Sequence, residues 1–124
     1  MPRPEVAIDL LNVERKSIEE VFGDIGLHTH PGEWAAELSR DPETGAASYV
    51  VWLPPGFTTP GPEVHSIDQE DILIWGDWHI GGVEHRAPFY DFHPANIEHG
   101  PIHTRNGCML VVVQGPGLDV EYRA

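Results

Sequence analysis

The chain has 124 residues, the size of one domain with a single core. Glycine (13) and proline (12) together reach about twice their ordinary share, so the chain turns often and a helix bundle is excluded. The formal charge of −13, from 7 basic and 20 acidic residues, repels phosphate backbones and anionic lipid. Nucleic acid and membrane are therefore not expected partners. Eight histidines are many for this length, and some are available to ligate a metal or to titrate near neutrality.

Residues 1–26 read as an N-terminal arm. Ile8, Leu10, Leu11, Ile18, Val21 and Phe22 are spaced by charges, and a short helix is expected near residues 14–22, stopped by Gly23 and Gly26. The arm is expected to pack on the domain or on a second subunit. His28-Thr29-His30-Pro31-Gly32 reads as a loop. The barrel domain, 27–124, then takes on a β texture. Trp34 to Leu38 is a short strand, Asp41 to Gly45 a turn, and Ser48 to Leu53 a strand rich in β-branched and aromatic residues. Residues 54–62, with four prolines and two glycines, form an irregular connection. Asp71 to Trp75 is the next strand, closed by Gly76-Asp77. Trp78 to Ile80 follows, then a hairpin-like turn at Gly81-Gly82. Further strands fall near Phe89 to Phe92, Cys108 to Gln114 and Leu118 to Tyr122. Short strands at this spacing predict an all-β sandwich or barrel.

Cys108 is the single cysteine, so no intrachain disulfide forms. It opens an apolar strand and reads as a core residue. The N-terminus lacks an uninterrupted apolar segment of the kind found in signal peptides, and a cytoplasmic location is the expectation. The longest apolar run, Cys108 to Val113, is far short of a membrane span. There is no Gly-x-Ser-x-Gly elbow, phosphate loop or Cys-x-x-Cys pair.

Residues i and i+2 of a strand face the same side. Glu63-Val64-His65 therefore aims a carboxylate and an imidazole together, with Gln69 or Glu70 shortly after and Gly76 closing the strand. Pro94-Ala95-Asn96-Ile97-Glu98-His99 places another histidine after a turn, and His103 follows four residues later.

With these residues the chain resembles a cupin. The first cupin motif, G-x5-H-x-H-x(3,4)-E-x6-G, is matched loosely by Gly56, Glu63, His65, Gln69 or Glu70, and Gly76. Glu63 stands where the family has its first histidine. The second, P-x-G-x-x-H, is matched by Pro94, Asn96 and His99. Asp41 to Gly45 before a strand, a Pro-Gly pair entering the first motif, and Asn106-Gly107-Cys108 after the second resemble the subgroup related to the zinc-binding domain of the ChrR anti-sigma factor. The resemblance covers roughly residues 33–122. It implies a double-stranded β-helix, the jelly-roll-like cupin barrel, with a short N-terminal arm, and a homodimer.

It also implies a metal set of Glu63, His65, Gln69 and His99. The spacing back from Gly76 favours Gln69, whose face would carry Asp71, Leu73 and Trp75. The alternative face, Glu70, Ile72 and Ile74, would make a cleaner apolar core, so periodicity leaves the choice open. Such a mixed nitrogen–oxygen set suits iron, manganese, nickel or zinc as a divalent ion. The implied function is a metal-dependent enzyme acting on a small organic molecule, a dioxygenase first. Glu63 would serve as a catalytic base if it is not a ligand, and His103 as a base, fifth ligand or rim residue. The alternatives are a non-catalytic module that senses or stores a metal or small ligand, and a metal-free isomerase or epimerase. His79, His85 and His93 are expected on strand or turn surfaces. Trp75, Trp78, Phe89, Tyr90 and Phe92 are expected as core and pocket wall, with Tyr90 as a donor to a bound ligand.

Overall fold

A computed structural model describes residues 2–27 and 29–123. His28, part of the expected loop, lies outside them; the rest of that segment is irregular and turns at Pro31-Gly32. Among the described residues the strands are β1 (Trp34–Arg40), β2 (Ala47–Leu53), β3 (Glu63–Val64), β4 (Gln69–Ile80), β5 (Val83–Arg86), β6 (Phe89–His93), β7 (Ile102–His103), β8 (Cys108–Gln114) and β9 (Glu121–Tyr122). The one helix among them is α1 (Ile18–Phe22), and none is long and apolar enough to cross a membrane.

The arm packs on its own domain. The Arg3 guanidinium holds Ser39 Oγ at 2.7 Å, and that of Arg15 lies 4.3 Å from the Trp52 ring. Leu10 and Val13 cover an outer apolar cluster of Ala36, Val50, Trp52 and Met109. The helix is shorter than the expected 14–22 because Lys16 is already committed to a β-bridge. Its amide and carbonyl pair with Ala35 at 2.8 and 2.9 Å. Ser17 then caps the helix, its hydroxyl and the Glu20 carboxylate each taking the other's backbone amide. Ile18, Val21 and Phe22 join the main core.

The main sheet runs β1-β2-β8-β4, all antiparallel. β4 serves two neighbourhoods. Its first half lies between β8 and β6, and its second half pairs with β5 and β7. The expected break at Gly76 is therefore a bend inside one strand. The register against β8 shifts between Leu73 and Trp75, where Ile74 is the extra residue of a bulge. Gly76 has φ 89°, and a Cβ there would lie 2.1 Å from the Gly107 carbonyl oxygen, so only glycine fits.

This bulge decides what faces inward. Gln69, Asp71 and Leu73 point into the barrel, and after the extra residue Trp78 does too. Trp75, expected on the same face, is 59% exposed. Glu70, Ile72 and Ile74 lie on the outer face, where the Tyr90 hydroxyl donates to Glu70 Oε1 at 2.6 Å. Tyr90 and Phe92 are exposed, so of the aromatics expected as core and wall only Trp78 and Phe89 fill that role, and Tyr90 is no donor to a ligand inside. The core gathers Tyr49, Val51, Leu53, Phe57, Leu73, Trp78, Ile102, Leu110 and Val112. Each large side chain contributes about 1.5–3 kcal/mol by leaving water. Cys108 is buried among them as expected, and burial pushes its thiol up to about 12.

Candidate metal centre

Two backbone arrangements assemble the site. Glu63 and His99 face each other in an antiparallel bridge, each amide donating to the other's carbonyl at 2.8 and 3.0 Å. Their side chains therefore emerge side by side. Asn96, in the second motif's turn, adopts φ 64°, a left-handed conformation that asparagine tolerates better than most residues. Its amide donates to the His65 carbonyl at 2.7 Å and ties the two motifs together. Asparagine thus stands where the cupin motif has glycine, without loss of the turn.

The ligand atoms of Glu63, His65 and His99 lie within 4.8 Å of one another. Glu63 Oε1 is 3.1 Å from His99 Nε2 and 3.4 Å from His65 Nε2. His65 Nδ1 bonds the Asp119 backbone carbonyl. A carbonyl only accepts, so Nδ1 carries a proton and Nε2 is the ring nitrogen turned toward the carboxylate. His65 Nε2 and His99 Nδ1 are both buried without a hydrogen bond. Burial raises the Glu63 carboxyl, but the neighbouring His65 and His99 imidazoles outweigh it and hold it at about 2. Burial works the other way on His65, where Glu63 and the Asp119 carbonyl prevail and raise the imidazole. A carboxylate oxygen and imidazole nitrogens converging in a buried, under-satisfied cluster are the donor set of a borderline divalent cation.

The cluster opens on a largely apolar cavity of about 100 Å³. Gln69 lines this cavity, its amide nitrogen 3.5 Å from Gln114 Oε1. Glu70 points away from it. His103 does not line it: Nδ1 donates to the Phe57 carbonyl at 2.9 Å, and the ring meets His79 edge-on, 5.2 Å between centroids. The structure does not bring His103 to the cavity where a catalytic or ligand role was expected, because β7 pairs with the far half of β4.

Two groups escaped the sequence reading. Glu33 lines the cavity, its carboxylate taking the His30 amide at 3.1 Å. Burial, opposed by that amide and reinforced by the charge of Glu63, pushes it up to about 7. It stands alone between a turn and β1, so no pattern marks it. His93, expected on a surface, is turned inside with a side-chain exposure of 12%. Its ring stacks on His99 at 4.0 Å and 16°. The alternation along β6 (Phe89, Asp91 and His93 inward, Tyr90 and Phe92 outward) is the signal that phases it. Asp71 and Asp91 lie beside it, and burial, with Asp91 adjacent, pushes the Asp71 carboxyl well above its usual range.

No protein-family model matches the sequence, and no curated protein matches it. Solved structures do. An RmlC-like cupin from Shewanella frigidimarina is 18% identical with a TM-score of 0.64, over 94% of this chain and 95% of that one. An acetylacetone dioxygenase from Acinetobacter johnsonii is 19% identical with a TM-score of 0.70, over 100% and 80%. The Rhodobacter sphaeroides complex of SigE with the anti-sigma ChrR matches at 17% identity and a TM-score of 0.61, over 85% of this chain and 51% of the other. At these identities the likeness establishes architecture, and the chain is all-β with the cupin fold.

Proposed function

We propose that the chain is a metal-dependent enzyme acting on a small organic molecule, with a divalent ion held by Glu63, His65 and His99 and with Gln69 beside it. The observation that carries this reading is the convergence of the Glu63 carboxylate with His99 Nε2 at 3.1 Å and His65 Nε2 at 3.4 Å in a buried site. His65 Nε2 faces that carboxylate with no hydrogen bond, and a divalent ion between them would answer both. When bound, such an ion supplies Lewis acidity toward an enol- or diketone-like group and, if iron, redox chemistry with dioxygen.

The residues of the chain supply the rest. The apolar wall of Phe57, Trp78 and Leu110 excludes water, and about 100 Å³ admits only a compact substrate. A carboxyl near 7 is matched to taking up or releasing a proton at neutral pH, so Glu33 is the group that handles the substrate proton. Glu63, held at about 2, is a weak base and serves as a ligand. A dioxygenase is the finer reading, supported by the architecture shared with the acetylacetone dioxygenase.

The test is elemental analysis of untagged protein purified without added metal or chelator, beside His99→Ala. Near-stoichiometric iron, manganese, nickel or zinc, lost in the variant, supports the centre. Oxygen uptake with small β-diketones then supports the dioxygenase. Absence of metal, with no uptake on reconstitution, overturns the reading in favour of a metal-free pocket.

A further inference from the structure

Behind the His99 ring lies a second cluster that the proposed centre does not use. Asp71 on β4 and Asp91 on β6 are directly opposite each other in the ladder, and His93 is two residues along from Asp91 on the same face. Like charges placed opposite one another destabilise a strand pair in water, and more so inside a barrel. The Asp71, Asp91 and His93 side chains are only 7%, 13% and 12% exposed. His93 Nε2 lies 3.1 Å from Asp91 Oδ2 and 3.5 Å from Asp71 Oδ2, yet it is aligned for a hydrogen bond with neither. Asp91 Oδ1 is likewise buried with no partner. The fold offers Asp91 one clear donor, the Trp78 indole N–H at 3.2 Å on Oδ2.

We infer that Asp71, Asp91 and His93 form a second divalent-cation site. Two carboxylate oxygens and one imidazole nitrogen converge within 4.8 Å, a harder donor set than that of Glu63, His65 and His99. It suits manganese(II) or iron(II), with zinc(II) also accepted. The orphaned Asp91 Oδ1 and His93 Nε2 are the second, independent sign that a ligand belongs there. The stacked rings of His93 and His99 join the two clusters, so the barrel interior holds a pair of adjacent centres of unequal hardness. The inference rests on residues separate from the first centre and can stand or fall without it.

The experiment counts ions. Full-length protein stripped with chelator is titrated with Mn²⁺, and separately with Zn²⁺, and bound metal is measured by native mass spectrometry and by elemental analysis after dialysis. The expected result is two ions per wild-type chain, one in Asp91→Asn, one in His93→Gln and one in His99→Ala. Far-UV circular dichroism checks each fold. The two near-isosteric variants on different residues keep the question answerable if one fails to fold. Wild type saturating at one ion that Asp91→Asn and His93→Gln retain overturns the second site and leaves the first, the buried carboxylates then sharing a proton only. One ion lost in those two variants and kept in His99→Ala overturns the first and leaves the second.

Discussion

Two carboxylate–histidine triads lie in different parts of the barrel, and they differ in how their polar atoms are satisfied. Asp77, His79 and Glu84 bring ligand atoms within 4.8 Å, as do Glu63, His65 and His99. Asp77, however, is saturated. Its two oxygens take the amides of Arg105 and Asn106 at 2.8 and 2.9 Å, the Thr104 hydroxyl at 3.3 Å and His79 Nε2 at 2.8 Å. It fixes the loop after β7 onto β4, and Glu84 beside it is half exposed. Glu63 receives imidazoles alone, and two ring nitrogens around it have no partner. A buried carboxylate that serves the scaffold is met by backbone amides. Glu63, the proposed ligand, sits instead among ring nitrogens the fold does not answer.

That contrast is open to direct attack. The largest effect is expected from Asp77→Ala, which strands two amides and a hydroxyl and removes a charged acceptor. A loss of about 3–5 kcal/mol should appear as a thermal unfolding midpoint lowered by more than about 10 °C, with metal uptake retained. An unchanged midpoint would erase the distinction between the triads. Burial raises the Asp77 carboxyl, but the two amides and His79 prevail and hold it at about 2. A depressed carboxylate stabilises above its unfolded value, so this contribution is lost as pH falls from about 4 to 2. The acid-unfolding curve of Asp77→Asn should be flatter across that window.

Glu63→Gln is expected to show the reverse pattern. Metal affinity should drop by more than about 100-fold in equilibrium dialysis. Stability of the metal-free protein should fall by less than in Asp77→Ala, because the ionised carboxylate that His65 and His99 hold at about 2 is lost but no backbone amide is stranded. A cost equal to that of Asp77→Ala would make Glu63 a scaffold residue.

Glu33 sharpens the picture through pH. Its folded value of about 7 lies above the unfolded 4.5, so ionisation opposes folding, and stability is lost as pH rises between those values. Glu33→Gln should remove that loss and unfold at a higher temperature than wild type at pH 8. It should also abolish any activity inflection near pH 7. A slope unchanged in the variant would place Glu33 outside the buried site. The smallest effect concerns Cys108, which with its thiol near 12 should resist alkylation at pH 8 until the protein unfolds.

Architecture was legible where patterns are local. Short apolar runs between turns, aromatic in β6 and β-branched in β2 and β8, located β1, β2, β6 and β8, and the Glu63-x-His65 and Asn96…His99 spacings picked out residues that the fold brings together. What escaped depends on through-space partners. β7 spans only two residues and is defined by pairing with a distant segment, so propensity cannot mark it, and the strand expected from Leu118 to Tyr122 is cut to Glu121–Tyr122 for the same reason. Trp75 was misplaced because a bulge is a property of two strands, set by β4 against β8, and no period-two pattern within β4 records it. Glu33 and His103 exchanged roles for a similar reason. One lies in an unpatterned turn that folds under the cavity, and the other sits close to a metal motif in sequence and across the barrel in space.

The single extra residue at Ile74 works as a phase shifter in β4. Upstream of it odd-numbered positions Gln69, Asp71 and Leu73 look inward, whereas downstream the even-numbered Trp78 does. Removing one residue there would straighten the ladder and turn the downstream half over, taking Trp78 out of the cavity wall and carrying Asp77 off the amides it holds. Length in this strand is therefore constrained more tightly than identity. The turn from Asp41 to Gly45, closed by its own hydrogen bonds, is free to grow or shrink as the chain diverges.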